Sequence, residues 1–405
     1  MVQIVRCGSD CCLVSGYRLI ASRYERILMT LNSTKTSRGC KLRNECRTFT
    51  IAGSGTPFIP LTSFHPSDIG IAYLEPTSYE VRWFDFSTGS VSPLYSPSGE
   101  VSSLHFDQSG SHLLAIGEQV VVTDWNKRST REVSKTTGHD FVEPDKTWVN
   151  EEGVWIFSGG RGVLLDPSGR LIRETPLAHD GQILGVARNL PEATFVIVQS
   201  FSRTDRSVSA INLHDGQVRH SFEGLSRIVL SPDASVMVAQ LQGCEDAMIW
   251  STQSGELLGR LPSTELHSSS VVCGDNKHLI TPGNNSGTVF VFDLSDTSRR
   301  IIDTGDQMIP SLKTNHSSPI FATIANDERY PVDSTMFWLP TESKPLGSTR
   351  GHACLSDKSF SPSGKYFLTA TNDVGEEHTV GTRVGGTISI SEVPGSKCLR
   401  SAMLR

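Results

Sequence analysis

A unit of four short strand-like runs is written again and again along this chain, and few folds can use such a pattern. Its clearest copy is Ser226–Pro262. The runs are Arg227–Leu230, Val236–Leu241, Ala247–Ser251 and Glu256–Leu261. They are separated by turns at Ser231-Pro232-Asp233, Gly243–Asp246 and Gln253-Ser254-Gly255. Runs of Val, Ile and aromatic residues bounded by Gly, Pro, Asp and Ser are strand-and-turn signals. Seven further copies are countable, at about Pro60–Tyr95, Val101–Thr137, Lys146–Leu177, Gln182–Phe222, Ser269–Thr304, Ser318–Thr349 and Asp357–Met403. The copy at Ser318–Thr349 is the most degenerate.

The third-run markers are Asp85, Asp124, Asp166, Leu213, Trp250, Asp293, Trp338 and Ser391, spaced 37 to 53 residues apart. Four strands repeating every ~40–45 residues mark a β-propeller. One small twisted sheet cannot bury both of its faces, whereas a ring of stacked sheets can. The expected fold is therefore all-β: a β-propeller of seven or eight four-stranded blades over 47–405, preceded by a short N-terminal arm over 1–46. Arg47–Gly55 reads as a single strand, and Lys397–Met403 as the last strand of the final unit.

The repeats resemble the WD-repeat family. That family's third strand ends in Trp-Asp; the matching pairs here are Phe84-Asp85, Thr123-Asp124, Leu165-Asp166, Trp250-Ser251 and Phe292-Asp293. No copy keeps an intact Trp-Asp. The family's Gly-His dipeptide matches Gly351-His352 and Gly138-His139. The turn between its first two strands matches His65-Pro66-Ser67-Asp68, Asp107-Gln108-Ser109-Gly110, Ser231-Pro232-Asp233 and Ser361-Pro362-Ser363-Gly364. The resemblance runs from about Pro60 to Arg405. The style of the worn copies is similar to the propeller tails of fungal NACHT-type signalling proteins, although no Gly-x4-Gly-Lys-Ser/Thr phosphate loop accompanies them. The resemblance implies a hydrogen-bonded His, Ser/Thr, Asp and Trp network inside each blade. Such a network helps only when every member is satisfied. Most copies lack members, so the blades are expected to rest on apolar packing. His352, Trp250 and Asp293 are read as blade residues.

Met1–Cys46 differs from the rest. It holds eight basic residues against three acids, while the whole chain carries −6. Tyr17, Ile20, Tyr24, Ile27, Leu28 and Leu31 recur at helical spacing. Three readings stay open: a partly helical arm packed on the main domain, a basic amphipathic helix docking on a partner or membrane surface, and a mitochondrial-type presequence. Five of the nine cysteines lie in this arm (Cys7, Cys11, Cys12, Cys40 and Cys46), without the paired spacing of a zinc site. Arg18, Arg23, Glu25 and Arg26 interrupt any signal-peptide core. The cysteines are therefore read as reduced thiols, and the sequons at Asn32, Asn284 and Asn315 as chance matches. The expected location is intracellular: cytoplasm, with nucleus as an alternative. No run reaches the ~20 apolar residues of a membrane span, and the net negative charge argues against nucleic acid as a partner.

No catalytic, cofactor-binding or metal-ligating residue is assigned, and no cofactor is expected. Glu376-Glu377-His378 reads as a solvated loop, Ser158–Gly162 as a hairpin, and His139-Asp140 and His179-Asp180 as inter-blade loops. Ser298-Arg299-Arg300-Ile301 resembles the double-Arg motif of lipid-binding propellers without its flanking residues. The functional expectation is a non-enzymatic scaffold that binds protein or peptide partners through rim loops or the central channel, within a larger complex. Asn326–Asp333 and Thr371–Gly386 are the expected recognition loops. The alternative is a propeller hydrolase or lactonase with acids and histidines at the channel mouth.

Overall fold

The computed structural model describes residues 48–52, 61–75, 78–117, 119–132, 146–149, 152–158, 160–177, 181–189, 193–201, 206–262, 264, 266–283, 287–304, 311–324, 334–350, 352–353, 359–372 and 386–394. The chain divides into two compact units, Met1–Ser37 and Arg38–Arg405. Every described residue belongs to the second unit, and the expectations for Met1–Cys46 lie outside the described residues.

The strands follow the repeats. β1 (Thr48–Ala52) comes first. Blade 1 is β2 (Thr62–Phe64), β3 (Gly70–Glu75), β4 (Glu80–Asp85) and β5 (Val91–Tyr95). Blade 2 is β6 (Val101–Phe106), β7 (His112–Gly117), β8 (Val120–Asp124) and β9 (Ser129–Glu132). Blade 3 is β10 (Lys146–Val149), β11 (Val154–Ser158), β12 (Arg161–Leu165) and β13 (Leu171–Pro176). Blade 4 is β14 (Gln182–Asn189), β15 (Ala193–Phe201), β16 (Arg206–Asn212) and β17 (Val218–Phe222). Blade 5 is β18 (Leu225–Leu230), β19 (Val236–Leu241), β20 (Ala247–Ser251) and β21 (Leu257–Leu261). Blade 6 is β22 (Val271–Val272), β23 (His278–Pro282), β24 (Thr288–Asp293) and β25 (Arg299–Asp303). Blade 7 is β26 (Ser311–Thr314), β27 (Phe321–Ile324), β28 (Ser334–Trp338) and β29 (Gly347–Arg350). Blade 8 holds β30 (His352–Ala353), β31 (Tyr366–Asn372) and β32 (Gly386–Glu392). All eight sheets are four-stranded, and their strands pair antiparallel. The fold is an eight-bladed β-propeller.

The eighth sheet runs β1-β32-β31-β30, so its outer strand comes from the beginning of the chain. Thr48 pairs with Ser391 and Ala52 with Thr387. The expectation that Lys397–Met403 supplies this strand is thereby corrected: β1 occupies the edge of β32 where it would sit, and residues 395–405 lie outside the described residues. The innermost strand of this blade is in two pieces. His352 and Ala353 pair with Ala370 and Thr369, and Phe360 bridges Phe367 separately. Blade 7 begins at Ser311 rather than Ser318. Its first strand, SLKT, has a single apolar residue, Leu312, which is buried, so the run lacks the usual strand signal.

Burial explains why the repeats are legible. Second strands lie between two neighbours and are apolar along their length, as in GIAYLE and HLLAIG. Outer strands are mostly exposed and polar, as in STRE of β9. Every neighbouring pair of blades shares an apolar cluster. Ala72, Val81 and Trp83 of blade 1 meet Leu104, Phe106 and Trp125 of blade 2. Tyr366, Leu368 and Ile390 of blade 8 meet Ile71, Tyr73 and Phe84 of blade 1. The other six junctions are filled alike, which closes the ring. Each fully buried Val, Leu, Ile or Phe adds roughly 1.5–3 kcal/mol of gross stabilisation. The pairing of the outer strand with the third strand shifts register between β4 and β5, β12 and β13, β16 and β17, and β20 and β21, which bends the outer strand. Such bends blunt edge-to-edge pairing.

Candidate functional site

Antiparallel strands place the connections of each blade on two opposite rims. The 1–2 and 3–4 turns share one rim, and the 2–3 and inter-blade connections share the other.

On the first rim the turns are tight and tied to one another. In the 1–2 turns of blades 1, 2, 5 and 8 a backbone N–H closes back three residues: Asp68 to His65 O (2.9 Å), Gly110 to Asp107 O (3.0 Å), Ala234 to Ser231 O (2.8 Å) and Gly364 to Ser361 O (2.8 Å). The closing residue has a positive φ, +54° at Asp68, +73° at Gly110 and +53° at Ala234. Side chains then bridge neighbouring blades. His65 Nε2 donates to Gly110 O, Asn276 Nδ2 to Asp233 Oδ2 at 2.8 Å, Ser317 Oγ to Pro362 O at 2.6 Å, and Ser363 Oγ to Asp68 Oδ2.

The recurrent acid at the end of the third strand also serves this rim. Asp85 Oδ1 accepts from Ser87 N–H (2.7 Å) and Thr88 N–H (3.1 Å), and Asp293 Oδ1 from Ser295 N–H (2.8 Å). Asn212 and Ser251 hold the equivalent places in blades 4 and 5, accepting from His214 N–H (2.7 Å) and Ser254 N–H (3.1 Å). The sequence markers Leu213 and Trp250 are thus each one residue off this turn position. These acids shape turns, since short polar side chains cap nearby backbone donors. Hydrogen bonds from Ser87 and Ser295 hold the Asp85 and Asp293 carboxyls below their ordinary value.

One turn carries a charged pair. His278 Nδ1 lies 2.6 Å from Asp275 Oδ2, and Nε2 lies 3.9 Å from Asp293 Oδ2. The Asp275 hydrogen bond raises the His278 pKa against the opposing effect of burial. Burial pushes Asp275 up, but the His278 hydrogen bond and nearby N–H groups outweigh it, leaving that carboxyl below its usual value.

The second rim carries the longer 2–3 connections. Those of blades 7 and 8 span residues 325–333 and 373–385. These segments lie outside the described residues; of the expected recognition loops, Asn326–Asp333 falls wholly within them, while Thr371, Asn372 and Gly386 at the ends of the other belong to β31 and β32. The neighbouring 2–3 connection, in blade 1, places Tyr79 at φ +52° with 47% of the residue exposed. A positive φ is costly for a bulky residue. The hairpin is held around it: Tyr79 N–H donates to Glu75 O at 2.9 Å, and Arg82 pairs with Glu75 (2.8 Å) and Glu80 (2.9 Å). In β3, burial pushes the Tyr73 phenol up to about 12. Sequence reading missed Tyr79; its one signal was an aromatic residue inside the polar TSYE turn.

A third feature lies between the outer parts of blades 2 and 3. A cleft of about 320 Å³ is lined by His112, Val122, Asp124, Lys127, Ser129, Arg131 and Ser168. Sequence reading missed it because its walls come from two repeats.

Of the residues singled out in the sequence, Trp250 packs beside the cluster shared by blades 4 and 5, its ring 6.0 Å from Phe222. His352 lies in β30. Ser158 pairs with Arg161 across a two-residue hairpin, as expected. Arg299 stands 5.3 Å from the Phe290 ring and Arg300 donates to Thr341 O, both on the outer strand β25. Glu376-Glu377-His378, His139-Asp140 and His179-Asp180 lie outside the described residues. In blade 7, Trp338 Nε1 donates to Thr323 Oγ1 at 3.0 Å, with both residues buried. The copy that reads as most worn therefore has a buried strand-to-strand Trp–Thr bond. Among the described residues, no group of three or more His, Cys, Asp and Glu is placed to hold a metal ion. No helix among them is long and apolar enough to cross a membrane.

No protein-family model and no curated protein matches this chain. Among solved structures, it is similar to a chain of the crystal structure of a mitotic checkpoint complex. The two are 13% identical, with a TM-score of 0.43, and the match covers 91% of this chain and 99% of that one.

Proposed function

We propose that this propeller is a non-enzymatic scaffold that binds protein or peptide partners through the rim of 2–3 connections. One observation carries the reading: the two rims are built differently. One is closed by turns whose side chains hydrogen-bond from blade to blade. The other takes the 2–3 connections, which are long in sequence in blades 7 and 8 and which in blade 1 hold the strained and exposed Tyr79. Rigid strands beneath variable loops make a fixed recognition surface. Exposed aromatics held in place are frequent anchors of protein interfaces. The WD-repeat resemblance of the turn motifs, together with the Trp338–Thr323 bond, supports the same reading by fold analogy. An intracellular location and membership of a larger complex belong to this proposal.

The test is affinity capture from the native cell with the full chain, with Tyr79→Ala, and with residues 373–385 replaced by a short Gly-Ser linker. The reading expects a stoichiometric protein partner with the full chain and its loss in at least one variant. Recovery of the full chain alone, or equal recovery of the partner by all three proteins, would overturn it.

A further inference from the structure

We propose that the cleft between blades 2 and 3 is a subsite for one oxyanion group, carboxylate or phosphoryl, on an acidic side chain of a bound peptide. This deepens the scaffold reading and rests on it for the source of the peptide.

The cleft follows from strand register. His112 pairs with Asp124, and Asp124 with Ser129, so these three form one cross-strand row. Val122 pairs with Arg131 in the next row toward the core. Alternation puts both rows on the same face of blade 2. Ser168, from the 3–4 turn of blade 3, forms the other wall. Toward the core the same junction is filled by Leu114, Val122, Val163 and Leu165. Toward the outside, polar side chains line open space.

The charge of that space favours an anion. Arg131 brings a guanidinium that has no ion-pair or hydrogen-bond partner among the described residues, and the Ser129 hydroxyl has none either. Lys127 adds an ammonium 2.9 Å from Asp124. The acid of the cleft is already occupied: Asp124 Oδ1 accepts from Asn126 N–H (3.1 Å) and Lys127 N–H (3.0 Å), while Oδ2 takes the Lys127 ammonium. Asp124 therefore answers Lys127 and its own turn, and among the described residues no acid takes the Arg131 fork. A guanidinium meets carboxylate and phosphoryl oxygens in matched, two-point geometry. The described lining carries two fixed cations and one carboxylate. Both cations are largely exposed, so the subsite is weak alone and screened by salt. It would act as one arm of a multipoint contact.

The test uses the full chain at constant ionic strength, with side-chain NMR of His112 as readout. The probes are inorganic phosphate, acetate, and blocked tripeptides centred on phosphoserine, glutamate or glutamine. Arg131→Gln is the test variant. Arg219→Gln, whose arginine pairs with Asp215 on blade 4, is the control. The proposal expects saturable shifts with the phosphoserine or glutamate peptide, none with glutamine, and roughly five-fold weaker binding in Arg131→Gln, with Arg219→Gln unchanged. The two acidic peptides separate phosphoryl from carboxylate preference. Non-saturating shifts, equal binding by Arg131→Gln, or response to the free ions without either acidic peptide would overturn it. Partner capture through Tyr79 and residues 373–385 is read separately, so failure of the subsite and failure of the scaffold reading are distinguishable.

Discussion

His65 Nε2 lies 3.1 Å from the carbonyl oxygen of Gly110, linking the first turn of blade 1 to the first turn of blade 2. The tautomer is fixed by the other nitrogen: Ser67 N–H donates to Nδ1 at 3.1 Å, so the ring proton sits on Nε2. The ring is buried among Trp83, Phe106 and Trp125, with centroids 5.0 to 6.2 Å away. A second proton would displace the Ser67 bond and charge a buried ring.

Burial accordingly lowers the His65 pKa from its ordinary value near 6.5, against weaker opposing effects from Gly110 and nearby acids. The unfolded chain then binds this proton more readily than the fold. Its contribution to stability is complete above about pH 6.5 and is lost as pH falls through the folded value. Urea unfolding between pH 5 and pH 7.5 should show that slope. His65→Leu should cost about 1–3 kcal/mol at pH 7.5 and flatten the slope. An unchanged slope in the variant would assign it elsewhere.

Gly110→Ala tests the same junction from the other side. The residue has φ +73°, and a Cβ there would stand 2.3 Å from His65 Nε2. Backbone strain of roughly 1–2 kcal/mol adds to displacement of the ring. The expected loss is about 3 kcal/mol in total, measured by denaturant midpoint, with the His65 acid slope altered as well.

The His278–Asp275 pair should behave with the opposite sign at its basic end. The raised His278 pKa makes its contribution complete below about pH 6.5 and loses it as pH rises through the folded value. The lowered Asp275 pKa contributes above about pH 4 and is lost as pH falls further. His278→Gln should therefore cost most, roughly 1 kcal/mol, between about pH 4.5 and 6.5, and less at pH 8. A cost that grows toward pH 8 would rule out the charged pair.

Trp338→Phe keeps the aromatic packing but removes the donor to Thr323 Oγ1. A buried hydroxyl that loses its partner costs about 1–3 kcal/mol. Thr323→Val should cost less when added to Trp338→Phe than when made alone. Additive costs in this double-mutant cycle would show that the bond contributes nothing specific.

Ring closure is testable by truncation. A chain starting at Arg47 keeps β1, whereas one starting at Thr56 leaves the outer edge of β32 unpaired. The first should retain a single cooperative unfolding transition. The second should unfold at lower temperature and aggregate, because an open sheet edge pairs with other chains. Equal melting of the two proteins would contradict closure by β1.

The repeats were legible because burial in a blade depends on strand position. β19 and β20 begin and end where the Val, Ile and Met runs of blade 5 predict. The Pro and Asp turn signals fall at the 1–2 turns for the same local reason, a φ preset by Pro and a tolerated left-handed residue. Reading stopped where the local signal did: SLKT of blade 7 has too few apolar residues to announce a strand.

What the sequence determined by itself was therefore the blade: four strands, their turns, and a period that forces them into a ring. Only the tertiary structure decided the number of blades, the origin of the outer strand of blade 8, the bridge from His65 to Gly110, and the convergence of His112, Arg131 and Ser168. The physical reason is one of range. Strand and turn preferences act over a few residues, whereas closure and inter-blade contacts join residues some forty to three hundred positions apart and form only when the ring shuts.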